Sequence, residues 1–237
     1  GESPGQDTGC GADTLSVESG GAARHSPLMA QAPADIEPWL GLSLIPGLGG
    51  ESLRKLLQAF GSPENIFAAS YSSLRSLLHE SVAQSISQGL RHDAIGPTLD
   101  WLQDPLNAVI TLADPDYPRA LLEIAGPPPL LYLKGRRELL GRPAIAVVGS
   151  RNATPQGTRN AEAFARILSD SGLCIVSGLA LGIDAAAHRG GLQGASSSIA
   201  VVGTGLDIIY PARNRALAHE LASHGALISE FPLGTPS

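Results

Sequence analysis

Between Ala144 and Glu230, four short apolar runs alternate with stretches of helical periodicity, and the first three runs lead into glycine. The runs are Ala144-Ile145-Ala146-Val147-Val148, Leu173-Cys174-Ile175-Val176, Ser198-Ile199-Ala200-Val201-Val202 and Ala226-Leu227-Ile228-Ser229-Glu230. Strands that are apolar on both faces must be covered on both faces. Strands that alternate with helices run parallel, because the crossover returns the chain to the same end of the sheet. The pattern therefore predicts an α/β, Rossmann-like fold over 144–237: a doubly wound parallel sheet with right-handed crossovers. Helices are expected from about Pro155 to Ser171, with Ala161, Phe164, Ala165 and Leu168 on one face, and over Ile183–Gly190 and Asn214–His224.

Open α/β sheets bind ligands beyond the carboxyl ends of their strands. Three consecutive strand ends here carry Gly149-Ser150-Arg151, Ser177-Gly178-Leu179-Ala180-Leu181-Gly182-Ile183-Asp184 and Gly203-Thr204-Gly205-Leu206-Asp207. Gly149, Gly178, Gly182, Gly203 and Gly205 would let backbone amides approach a phosphate, and helix N-termini add positive potential. Ser150, Ser177 and Thr204 supply hydroxyls, and Arg151 supplies a fixed charge with fork geometry. A single glycine turn is also what any tight strand-to-helix connection needs; three in register point to a phosphate or a nucleotide backbone. The fingerprint G-x-G-x-x-G does not follow the first strand, and no G-x-x-x-x-G-K-[ST] is present, so neither NAD nor ATP is expected and no cofactor is implied.

After the third strand comes Tyr210-Pro211-Ala212-Arg213-Asn214-Arg215. Tyr210 would stack a base or anchor the loop. Arg213, Asn214 and Arg215 would meet a polyanion, or the arginines simply line a solvated helix start, where the dipole disfavours cations. Asp184 and His188 lie one helical turn apart on one face. They read as an acid–base pair, or as a cap and a loop brace.

Residues 36–100 read as a helical domain. Trp39, Leu40, Leu42, Leu44 and Ile45 form a first apolar face; Leu53, Leu56, Leu57 and Phe60 recur at helical spacing; Ile66, Phe67, Leu74, Leu77 and Leu78 continue the core. The turn Ile45-Pro46-Gly47-Leu48-Gly49 between two helices looks like a helix-hairpin-helix, whose amides can grip a DNA phosphate. Arg54 and Lys55 are the cations near it. Residues 101–143 connect the two parts, with strands at Val109–Leu112 and Leu130–Leu133 that would extend the sheet edge.

Residues 1–35 are Gly, Ser, Ala and acid without a period, which predicts a disordered leader, with Met29 a candidate start. The net charge of −6 excludes a uniformly basic nucleic-acid binder, but most of the acid excess lies in that leader. The two cysteines, Cys10 and Cys174, have no disulfide or metal spacing, and Cys174 reads as a small core residue. No membrane span and no signal peptide is legible, which predicts a cytoplasmic protein.

Taken together, the strings Ala146–Arg151, Ser177–His188 and Gly203–Pro211, with Tyr117-Pro118 and Pro128–Gly135 upstream, resemble the DNA-processing protein A (DprA/Smf) family, from about Trp39 to Gly234. The helical front is similar to that family's sterile-alpha-motif-like domain. The resemblance implies a bacterial, cytoplasmic, non-enzymatic protein that binds incoming single-stranded DNA during natural transformation, shields it, helps load the RecA recombinase and forms a homodimer. It nominates Arg151 for the DNA pocket, with Arg213 and Arg215 beside it. Family members continue beyond the segment matched here, so the resemblance also implies a chain that stops within its sheet. Two other readings are an inactive truncated product and a nucleotide-processing enzyme of the lysine-decarboxylase-like or phosphoribohydrolase type. The P-G-G-x-G-T-x-x-E string of that enzyme type is absent.

Overall fold

The computed structural model describes residues 33–237. The leader, Cys10 and Met29 lie outside them, except that Pro33–Asp35 already belong to the first helix.

The helical part comprises α1 (Pro33–Ser43), α2 (Gly50–Phe60), α3 (Pro63–Ala68), α4 (Tyr71–Arg75), α5 (Glu80–Ser87) and α6 (His92–Trp101). Local chemistry sets its boundaries. Gly61, at φ +85°, ends α2 by returning its N–H to Leu57 O, and Ser62 Oγ accepts from Asn65 N–H with Pro63 at the first helical position. Leu42, Leu53, Leu56, Ile66, Leu74 and Ile86 are buried together. Leu77, expected among them, is exposed, because α4 stops at Arg75 and Leu77 falls in the turn after it. A second cluster joins this part to the sheet: Trp39, Leu40 and Ile95 pack on Val109, Leu130 and Tyr132.

The sheet has strands β1 (Asn107–Thr111), β2 (Leu130–Gly135), β3 (Ala144–Ala146), β4 (Cys174–Ser177), β5 (Ser198–Val201) and β6 (Ala226–Ser229), in the order β1-β2-β6-β5-β4-β3. The strands β3 to β6 run parallel; β2 joins β6 antiparallel, and β1 joins β2 antiparallel. The two early strands thus extend one edge of the sheet. The remaining helices are α7 (Arg119–Leu122), α8 (Pro155–Asp170), α9 (Ile183–Gln193) and α10 (Arg215–His224).

The expectation of a doubly wound sheet is corrected. Registers Ile175↔Ser198, Ala200↔Leu227 and Tyr132↔Ser229 define one face, and α8, α9 and α10 all pack there, against Ile175, Ala200 and Leu227. Each crossover steps the same way across the sheet, and right-handed crossovers in one direction put every helix on one side. Winding on both sides needs a reversal of direction, which the described strands do not contain. The opposite face, with Leu131, Leu133, Ile199 and Ile228, is covered by Tyr117, Leu121, Leu139 and Leu140 over β1, β2 and β6 and over the starts of β5 and β4, where Ile199 and Cys174 are buried. Towards β3 it is open, and Val201 is exposed.

Two local expectations change with it. The first strand is shorter than Ala144–Val148 and is exposed throughout, because among the described residues it pairs with β4 alone. Phe164 is exposed rather than buried with Ala161 and Ala165. It lies about 100° round the helix from Ala165, away from the flank where Glu162 meets Arg189 of α9. Cys174 is buried, as expected, and burial pushes its thiol up to about 11.

Candidate functional site

At the carboxyl ends of the parallel strands lies a cleft of about 450 Å³, lined by Arg151 from the loop after β3, by Gly178, Ala180 and Leu181 after β4, and by Gly203, Thr204, Tyr210 and Pro211 after β5. The three strand-end loops singled out in the sequence therefore do converge. Their glycines serve different ends. An added Cβ at Gly149 would strike Ile183, and Gly182, at φ +81°, would drive one into the carbonyls of Ser150 and Arg151. These two lock the first loop onto the start of α9, where Ile183 N–H donates to Ser150 O at 3.1 Å. A Cβ at Gly203 would meet nothing within 4 Å, so this glycine leaves open space on the cleft wall.

The middle loop is built differently from the expected phosphate cradle. Gly178 N–H and Ala180 N–H donate to Asp184 Oδ2 at 3.1 and 3.4 Å, and Leu179 N–H donates to His188 Nε2 at 3.3 Å. Asn214 Nδ2 donates to the carbonyls of Leu179 and Ala180 at 2.7 and 3.2 Å. Three successive amides are thus spent inside the protein. Asp184, His188 and Asn214 are buried and act as braces of this loop, which favours the brace reading over the acid–base pair. Burial pushes the His188 imidazole down to about 4, so it is neutral at ordinary pH.

Two hydroxyls are also structural. Ser177 Oγ donates to Val147 O at 2.7 Å, and Thr204 Oγ1 donates to Ile208 O at 3.1 Å. Ser150 is exposed, and its Oγ accepts from Asn152 N–H. Gly205 is buried, its N–H donating to Thr235 O, while Asp207, which the sequence did not single out, accepts Gly234 N–H and holds the segment after β6 beside the cleft. The amides of Ser150, Arg151 and Gly203 have no hydrogen-bond partner among the described residues.

The charges divide sharply. Among the described residues Arg151 has no ion pair and no hydrogen-bonded side-chain partner, and it faces the cleft. Tyr210 stands at the cleft with 57% of its surface exposed, which fits a stacking platform better than a packed anchor. Arg213 and Arg215 are exposed and equally unpaired, but they do not line the cleft; they flank Asn214 beside it. At the helix-hairpin-helix, by contrast, Arg54 donates to Ile124 O and Lys55 pairs with Glu51 at 2.9 Å. No cluster of metal-ligating side chains occurs among the described residues, and none of their helices is long and apolar enough to cross a membrane.

The chain has recognisable relatives. The sequence model of a family described as DNA recombination-mediator protein A matches residues 108–237. Protein Smf of Synechocystis is 39% identical over 206 residues, covering 83% of this chain and 51% of that protein. DNA processing protein DprA of Streptococcus pneumoniae is 44% identical over 124 residues, covering 52% of this chain and 44% of that protein. The X-ray structure of DNA processing protein A from Streptococcus pneumoniae matches with a TM-score of 0.67 at 31% identity, covering 84% of this chain and 67% of that chain. The chain spans about half the length of the curated relatives it matches.

Proposed function

Given that the chain belongs to the DNA recombination-mediator protein A family, we propose that its cleft binds single-stranded DNA by the backbone. Arg151 carries this reading: an unpaired guanidinium at the edge of a cleft, beside the partnerless Gly203 amide and the exposed Tyr210 ring. A phosphate fits the fork of Arg151 and the amides of Ser150 and Gly203, while a base stacks on Tyr210. The contacts address backbone and ring faces, so binding is tolerant of sequence and weakens with salt. Arg213 and Arg215 lie outside the cleft and serve the strand as it leaves.

The reading extends to the role the family resemblance implies. The protein works in the cytoplasm during natural transformation, shields incoming strands, helps load a RecA-type recombinase and acts as a homodimer in the longer form its relatives have. It is a binder rather than an enzyme: the imidazole and carboxylate behind the middle loop, His188 and Asp184, are spent on the loop they hold.

The test is the affinity of a labelled oligothymidylate for wild type and Arg151→Ala at several salt concentrations. The variant is expected to bind ~10–30-fold more weakly and to lose ~0.7 from the salt slope, the value for one phosphate of a single strand. Equal affinities would remove Arg151, and this cleft, from the DNA site.

A further inference from the structure

We propose that His188 and Asn214 are positioning residues of the cleft, gripping Leu179 from opposite sides so that the wall bearing Gly178, Ala180 and Leu181 is formed before any ligand arrives. The proposal rests on the reading of the cleft as a DNA site.

Leu179 is the pivot. Its φ is +58°, a conformation that L side chains adopt at a cost and that persists only where the surroundings over-determine it. Here they do. The Leu179 N–H is taken by His188 of α9, the Leu179 carbonyl by Asn214 from the turn before α10, and the flanking amides by Asp184. Its side chain is buried among Ala185, Ala200 and Leu217. Strain held this firmly in a loop that lines the cleft fixes the shape of the wall.

The imidazole is suited to this by a relay behind it. His188 Nδ1 lies 2.7 Å from Ser198 Oγ, and Ser198 Oγ donates its one proton to Ile175 O at 2.9 Å. The hydroxyl can therefore only accept from the ring. The proton sits on Nδ1, Nε2 is left as the acceptor that Leu179 N–H requires, and the tautomer is set by a carbonyl in β4. The neutral state that burial imposes keeps Nε2 an acceptor. On the other side, Asn214 stands between Arg213 and Arg215. Its amide fixes the basic segment at hydrogen-bond distance from the same wall.

The experiment is a double-mutant cycle read by oligothymidylate affinity, with folding checked by circular-dichroism melts. His188→Leu is expected to melt cooperatively and to bind ~10-fold more weakly, the value of one hydrogen bond. His188→Gln, which keeps an acceptor, is expected to recover most of that loss. In a Leu179→Gly background, where the positive φ is no longer strained, His188→Leu is expected to cost clearly less. Wild-type affinity in folded His188→Leu, or equal losses in both backgrounds, would overturn the proposal.

Should His188→Leu not fold, imidazole nitrogen shifts of the wild-type protein report the tautomer directly. A proton on Nε2 would overturn the relay, and Ser198→Ala is expected to release the Nδ1 preference. These nitrogen shifts, and hydrogen exchange at the Leu179 amide, stand apart from DNA binding. A wild type that binds no oligothymidylate but carries the Nδ1 tautomer and a protected Leu179 amide would sink the function while leaving the clamp intact.

Discussion

Two regions of this chain have the same appearance in sequence, a glycine-bearing turn that opens a helix with cations close by. They are the hairpin Ile45-Pro46-Gly47-Leu48-Gly49 before α2, and the strand-end loops before α8, α9 and α10. They differ in where their charges go. At the hairpin, Arg54 reaches across to Ile124 O, Lys55 is held by Glu51, and the first turn of α2 carries that glutamate where a phosphate would sit. At the strand ends, Arg151, Arg213 and Arg215 have no partner among the described residues. A glycine turn shows only that the backbone can come close to something. The partner of the nearest cation shows whether that something is the protein or a ligand.

The largest expected contrast is in stability. Gly182→Ala forces a Cβ against Ser150 O and Arg151 O at a positive φ and should cost about 4 kcal/mol, measured by denaturant unfolding, with loss of the cleft. Gly49→Ala meets no neighbour within 4 Å and should cost only the difference between two helix caps, about 0.5 kcal/mol. Similar losses at the two sites would erase the distinction between a loop locked by contact and one that merely turns.

Next is pH. In the fold His188 is pushed down to about 4 by burial, from the ordinary 6.5, so the unfolded chain takes up the proton first as the medium is acidified. Its contribution is complete above pH 6.5 and is lost between 6.5 and about 4, amounting to about 3 kcal/mol. Unfolding free energies of wild type and His188→Gln across that window should converge as pH falls. Parallel curves would show that the wall does not depend on a neutral imidazole.

A smaller effect separates the cations. Arg151→Ala should cost about 2 kcal/mol of oligonucleotide binding. Lys55→Ala, at the hairpin, should leave the affinity where it was. A loss on Lys55→Ala equal to that on Arg151→Ala would make the hairpin a second DNA contact and overturn the comparison.

Much of the sheet was legible because it is local. Continuous apolar runs gave β4, β5 and β6 to within a residue or two, and Ser62-Pro63 and Gly61 marked their helix ends by chemistry that acts over a few residues. Apart from Leu77, which falls in the turn after α4, the failures are matters of what lies next to what. Val148 and Phe164 are apolar, but their burial depends on neighbours that only the sheet order supplies, and both are exposed. The second winding of the sheet was inferred from apolarity on both faces, whereas the side the helices take follows from the direction in which strands are added.

The cleft shows the same limit. Its three loops and Arg151 were readable from glycine placement and charge. The use of the Gly178–Ala180 amides was not, because one of the groups that brace this loop, Asn214, comes from 35 residues away in sequence. The brace reading of Asp184 and His188 was open in the sequence, but the atoms they hold were not.

The strand order has a consequence for how the chain comes together during synthesis. Of the strands, β1 and β2 are made first and form one flank of the sheet; β3, β4 and β5 follow as a separate parallel ribbon. Nothing in the sheet joins the two until β6, the last of these strands in chain order, slides between them, pairing Ile228 with Leu133 on one side and with Val201 on the other. Arrangements dominated by contacts distant in sequence close slowly. A chain made only as far as Val201 therefore has no strand to join the two flanks, and β2 and β5 each lack their partner until Ala226–Ser229 is added.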